Sequence, residues 1–214
     1  MARWDADADS ATLDELTAGN ALIESVPVGP SGSHTFVVTT ANGTDITFRL
    51  TAVKGGNTVI STAMVTVTCP LPWAISPAPA GCPQAAQVGA FTYQTFQQGI
   101  AFYVPNTNQV FFLAGGGAVN AFQNLWNSSI IIPTSVPPSG MFDPTGPIGY
   151  VWHNQTWSDG RSLQSVVGWA TDPSQNYNGT LQVGPSNEIY IKGPTGTTYR
   201  LNMNGNVGTW SLFT

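Results

Sequence analysis

Between Asp45 and Cys69 apolar and polar residues alternate with a period of two, and this pattern constrains the fold more than any other feature of the chain. Ile46-Thr-Phe48-Arg-Leu50-Thr-Ala52 puts its apolar residues on one side of an extended backbone. Gly55-Gly-Asn57 then supplies a hairpin turn, and Val65-Thr-Val67-Thr-Cys69 alternates again. The two pieces therefore read as adjacent antiparallel strands with one buried face. Ser33 to Thr40 and Ala21 to Val26 read as further strands, with turn signals every 8 to 12 residues, the spacing of a β-sandwich.

The second half gives the same answer by another route. Residues 84–214 show no helical period that survives their Gly and Pro content, so they read as entirely β. Phe96 to Val104, a turn at Pro105-Asn-Thr-Asn108 and Gln109 to Leu113 echo Leu181-Gln-Val183, a turn at Gly184-Pro-Ser-Asn187 and Glu188 to Ile191. Each unit is followed by a glycine-bearing turn, which predicts repeated hairpins stacked into one domain. Asn42-Gly, Asn178-Gly and Asn204-Gly read as hairpin turns rather than as glycosylation acceptors.

Three segments follow: 1–69, a β-sandwich; 70–83, a proline-rich linker; and 84–214, the second β-rich domain. Cys69 stands just before the linker and Cys82 near its end, so the pair brackets its proline-rich stretch. Zinc would need further ligands, and His34 and His153 lie far off in sequence. A disulfide is the expected state; it gains roughly 3 kcal/mol by loop entropy and implies an oxidising compartment.

Charge removes several function classes. Charged residues make up 8% of the chain and the net charge is −5, with six Lys and Arg scattered singly. Phosphate neutralisation, and with it nucleic-acid binding, is not expected. No apolar run reaches the length of a membrane span, and no leader pattern stands at the N-terminus.

Residues 1–69 carry "ADSATLD", the turn "GPSGS", "TFRLTAVKGG" and the closing "VTVTC". In these they resemble a bacterial immunoglobulin-like module of the kind strung together in secreted proteins. Such modules begin with a strand before the one bearing the tryptophan. Here Met1 stands three residues ahead of Trp4, so a first strand is expected to be missing. Residues 69–210 carry "YQTFQQGIAFYV", "QVFFL", "GPIGYVWH", "VVGWAT" and "EIYIKGPTGTTYRL" in that order. They resemble a β-rich module of exported, surface-anchored bacterial proteins, in which a CP…CP clasp often precedes it. The resemblance implies an extracellular or cell-surface setting and supplies no catalytic residues.

Five of the eleven acidic residues fall between Asp5 and Leu16. Asp5, Asp7 and Asp9 occupy positions 1, 3 and 5 of a calcium loop, but Ser10 replaces the glycine at position 6 and Leu16 the acid at position 12. The alternation with Trp4, Ala6 and Ala8 fits a strand whose outer face is acidic. No cofactor is expected, calcium at these three aspartates being the single candidate, because three like charges on one face repel unless something neutralises them.

For hydrolysis, Asp143, His153 and Asp159 are the only conceivable constellation, and no nucleophile motif accompanies them. Among the tryptophans, one or two of Trp126, Trp152 and Trp157 are expected to be exposed, where flat rings beside Asn and Gln could stack on sugars. The expected function is a non-catalytic structural or adhesive surface protein, of filament type, that self-associates or joins neighbouring surface subunits. The alternative is a carbohydrate-binding module that recognises polysaccharide.

Overall fold

A computed structural model describes residues 1–37 and 43–214. Within them, strands dominate and two short helices are the only helical elements, so the class is all-β. The described chain forms two compact units, Met1–Pro72 with Ala78–Cys82, and Trp73–Pro77 with Pro83–Thr214. The proline-rich stretch is thus divided, Trp73–Pro77 folding with the second unit. Among the described residues no helix is long and apolar enough to cross a membrane.

In the first unit, β1 (Ala2–Asp5) pairs antiparallel with β4 (Ser31–His34) as a two-stranded ribbon. β2 (Ser10–Thr17), β3 (Leu22–Val28), β5 (Asp45–Lys54) and β6 (Asn57–Thr66) make an antiparallel sheet in the order β3-β2-β5-β6. The β5–β6 hairpin closes through Gly55 and Gly56, with φ of 55° and 81°; only glycine takes both left-handed positions without strain. Ala11, Leu13, Leu16, Phe36, Ile46 and Val67 are buried. The disulfide joins Cys69 to Cys82 within this unit, with Cα atoms 5.1 Å apart.

Three expectations need correction here. The hairpin has no shared buried face: every residue of β6 is exposed, and β6 is an edge strand of its sheet. The expected strand from Ser33 stops at His34, and Phe36 turns inward to stack on Phe48 at 5.0 Å. Val38, Thr39, Thr40 and the Asn42 turn lie outside the described residues. Finally, the aspartate stretch is a strand only as far as Asp5, although exposure keeps alternating through Asp9.

The second unit is a closed eight-stranded barrel. β7 (Gln87–Phe96), β8 (Gly99–Val104), β9 (Gln109–Ala114) and β10 (Ala118–Gln123) form one meander. β11 (Gln175–Val183), β12 (Glu188–Lys192), β13 (Thr198–Asn204) and β14 (Val207–Phe213) form the other. Antiparallel pairing of β7 with β11 and of β10 with β14 closes the ring. Phe91, Phe102, Phe111, Leu113, Val119, Leu181, Ile191 and Leu201 fill the interior. Each such side chain contributes about 1.5–3 kcal/mol when fully buried, so the lumen is a packed core.

Strands β8 and β9 are apolar on their outer face too, and that face recruits the chain between the meanders. α1 (Gly146–Asn154) and α2 (Leu163–Val167) lay Ile148, Val151, Trp152, Leu163 and Val167 against Ala101, Val110 and Phe112. These helices correct the reading of residues 84–214 as entirely β. Pro147 stands in the first turn, where its missing N–H costs nothing, and Gly149 is required because a Cβ there would sit 2.2 Å from the Pro144 carbonyl oxygen. Asn178-Gly179 is likewise not a turn: it lies inside β11, where the bare glycine accommodates the Phe91 ring. The turn expected at Asn204-Gly205 does join β13 to β14.

The internal echo is one of turn chemistry. Asn108 and Asn187 both adopt left-handed φ, 53° and 60°, each closing a turn by donating its N–H to the residue three before, Pro105 or Gly184. Gly117 and Gly196, both at φ 85°, close the next turns the same way. The meanders themselves correspond as β7 with β11, so the echo of β8–β9 in β11–β12 is displaced by one strand.

Candidate functional site

The candidate site is an open groove in the first unit, of about 1050 Å³. Its floor is the alternating face of the sheet, where Leu13, Leu50 and Ser61 stand side by side across β2, β5 and β6. Val59, Ala63 and Val65 of β6 form one wall, and β1 with Trp4 forms the other. Trp4 is held by its indole N–H, which donates to the Gly29 carbonyl at 2.9 Å, and its ring lies over Gly32, where a Cβ would be 3.3 Å away. Val59 is 67% exposed and Val65 44%, both large values for apolar strand residues.

Sheet order makes β6 an edge. One side of its backbone pairs with β5 through ten consecutive residue partners; the other side pairs with no described strand. Such an edge together with an apolar face is a template for an added strand.

The acidic stretch lies along the rim of this groove. Asp7 is ion-paired with Lys54, and Asp9 Oδ2 accepts the Gly55 N–H at 2.8 Å. The hairpin turn thus supplies a cation and a dipole for two of the three aspartates, while Asp5 ends β1 at the groove wall. Among the described residues no group of three or more His, Cys, Asp or Glu is gathered as a metal site would require.

The tryptophans fall differently from expectation. Trp152 is 4% exposed, its indole N–H donating to the Gly168 carbonyl at 3.1 Å, and Trp157 is 6% exposed. Both belong to the layer between helices and barrel, because α1 and the turn after it must fill the space over Phe112. Trp126 is half-buried and donates to the Ile130 carbonyl at 3.2 Å. The three do not converge on one surface. Trp157 edges a depression of about 450 Å³ shared with Gln98, Gly115, Gly116 and Arg161.

His153 Nε2 lies 3.0 Å from Asp143 Oδ1, and the other Asp143 oxygen accepts the Ser135 N–H at 2.9 Å. Asp159 is not part of this pair; it binds Arg161 two residues on, which holds its carboxyl below the usual range. The pair ties the chain just before α1 to the last turn of that helix.

Sequence reasoning missed a buried polar cluster on the face of the sheet opposite the groove. Asp14, 5% exposed, accepts from the Ser25 hydroxyl at 2.6 Å and from Arg49 Nε and Nη2 at 3.0 and 2.7 Å. The Ser25 hydrogen bond, with Arg49 helping and burial opposing, holds its carboxyl below the usual value. Neighbouring Glu15 is 1% exposed, and burial followed by the charge of Glu24 pushes its carboxyl up. The only sequence signal was two adjacent acids inside an otherwise alternating strand. No family model, curated protein or solved structure matches this chain.

Proposed function

We propose that this protein is a non-catalytic structural or adhesive subunit of a bacterial cell surface, assembling through the open edge of its first unit. In this reading the unit is an immunoglobulin-like sandwich with an incomplete edge at β6. The observation that carries it is β6, ten exposed residues paired on one side only and bordering an apolar groove. A monomer has no use for such an edge, which costs solubility. The Cys69–Cys82 disulfide fits an oxidising compartment, and the extracellular surface is the one assigned here.

Light scattering over a concentration series tests the assembly. Species heavier than the 22.6 kDa chain should grow with concentration. A strict monomer up to the solubility limit overturns self-assembly.

A carbohydrate-binding reading draws support from the depression edged by Trp157, Gln98 and Arg161, where an aromatic edge and polar groups lie together. A glycan array separates the two: retention on a polysaccharide that is lost in Gln98→Ala and Arg161→Ala favours this second reading.

A further inference from the structure

Among its described residues the first unit has four free strand edges, and three of them carry a device that discourages pairing. β3 holds Glu24 and Pro27 and meets β2 through a register shift at Glu15/Leu16. β1 and β4 are only four residues long, β1 with Arg3 and Asp5 among them. β6, Asn-Thr-Val-Ile-Ser-Thr-Ala-Met-Val-Thr, has no charge, no proline and no bulge over ten residues. Proteins that must stay apart blunt their edges by charge, brevity, proline or bulge. Three edges here follow that rule and the longest does not.

Resting on the self-assembly reading above, we propose that β6 pairs antiparallel with β6 of a second copy across a two-fold axis, joining the two sheets into one of eight strands. The hairpin fixes which groups are available. Lys54 and Asn57 flank a two-residue turn and so form a mutually hydrogen-bonded pair. Bonding then alternates: Asn57, Val59, Ser61, Ala63 and Val65 bond β5, while Thr58, Ile60, Thr62, Met64 and Thr66 turn their N–H and C=O groups outward.

A two-fold axis perpendicular to the sheet at Thr62 sets outward residues opposite outward residues. Thr62 faces Thr62, Ile60 faces Met64 and Thr58 faces Thr66. On the groove side Val59 faces Val65 and Ser61 faces Ala63. Aliphatic thus meets aliphatic in Ile60–Met64 and Val59–Val65, hydroxyl meets hydroxyl in Thr62–Thr62 and Thr58–Thr66, Ser61 meets the small Ala63, and no charge faces another. Ile60 at 59% and Met64 at 69% exposure are then covered. The two grooves lie on the same side of the joined sheet and merge into one trough between the two β1 strands. Because the contact is the same patch on both copies, it closes at a dimer.

The test uses the full chain with Thr62→Lys and Thr62→Glu, each checked for native tryptophan fluorescence and circular dichroism. Wild type should be a concentration-dependent dimer by sedimentation. Each variant alone sets like charges opposite each other and should weaken the dimer on the order of tenfold or more. An equimolar mixture of the two should restore it. If wild type assembles and both folded variants assemble as tightly, or the mixture gains nothing over either, the β6 pairing is overturned while self-assembly stands. Growth of wild type into open chains overturns the two-fold contact. A wild type monomeric at every concentration overturns both.

Discussion

Arg49 and Asp14 face each other across β5 and β2, the guanidinium giving the carboxylate two hydrogen bonds at 3.0 and 2.7 Å while Ser25 from β3 gives a third at 2.6 Å. Three strands are tied through one buried carboxylate. Asp14→Ala should therefore destabilise the first unit by about 2–4 kcal/mol, since the loss of a buried, hydrogen-bonded charge leaves its partners unsatisfied. Arg49→Met, which leaves the carboxylate with only Ser25, should cost a similar amount. Urea unfolding followed by circular dichroism measures both.

The same cluster predicts opposite pH responses at adjacent residues. Asp14 has a lowered folded pKa, so its contribution is present above its ordinary value of 3.8 and is lost as the pH falls through the folded value. Glu15 has a raised folded pKa, so its contribution is fully present below its ordinary value of 4.5 and is lost as the pH rises through the folded value. Glu15→Gln should raise Tm relative to wild type at pH 7, with the difference closing below pH about 4. A Tm difference that is flat with pH would contradict the assignment.

Asn108 and Asn187 share a left-handed backbone but not a network. The Asn108 side chain accepts from the Tyr103 hydroxyl and from Asn124 Nδ2, and donates to the Asn124 carbonyl. Asn187→Gly should stay within about 0.5 kcal/mol of wild type, because glycine takes positive φ freely. Asn108→Gly should cost about 1–3 kcal/mol, because Asn124 is left buried without those partners. Parallel denaturant titrations give the contrast.

Gly99 is the tightest point of the β8–β9 ladder: a Cβ there would lie 2.3 Å from the Leu113 carbonyl oxygen. Gly99→Ala should destabilise the barrel by about 1–3 kcal/mol or more, since the obstacle is backbone. Near-ultraviolet circular dichroism during thermal melting reads the loss of aromatic packing.

With Lys54 on Asp7 and the Gly55 amide on Asp9, two of the three aspartates are already served from within the chain. Millimolar calcium should leave the Tm of the first unit unchanged, and Lys54→Ala should create a modest calcium response by removing the resident cation. Calorimetry with and without chelator checks both.

Local pattern was legible wherever one residue's chemistry decides the backbone. The Gly55-Gly56 hairpin, the Gly205 turn and the paired asparagine turns all follow from who tolerates positive φ. The two helices were not read, because glycine and proline masked a signal that the sequence does carry. Ile148, Val151 and Trp152, like Leu163, Val166 and Val167, keep helical spacing, with Ser162 as N-cap and Gly168 closing α2. Proline in the first turn and glycine at a close contact mark a short, packed helix rather than its absence.

The tryptophans show the limit of such reading. Trp152 and Trp157 sit in polar-looking sequence, yet they are core, because burial depends on the outer face of β8 and β9, some fifty residues away in the chain, being apolar and needing cover. The same holds for Asp14, whose partners Ser25 and Arg49 come from two other strands.

The amino-acid order alone determined the all-β class and the Gly55-Gly56 and Gly205 turns, because these depend on residue-level conformational preference and a period of two, and the cysteine pair, because two cysteines leave one pairing. Barrel closure, the buried aspartate and the bare edge at β6 were decided only in the tertiary structure. They depend on which strand has a neighbour on its second side, and alternation is identical for a paired strand and an unpaired one.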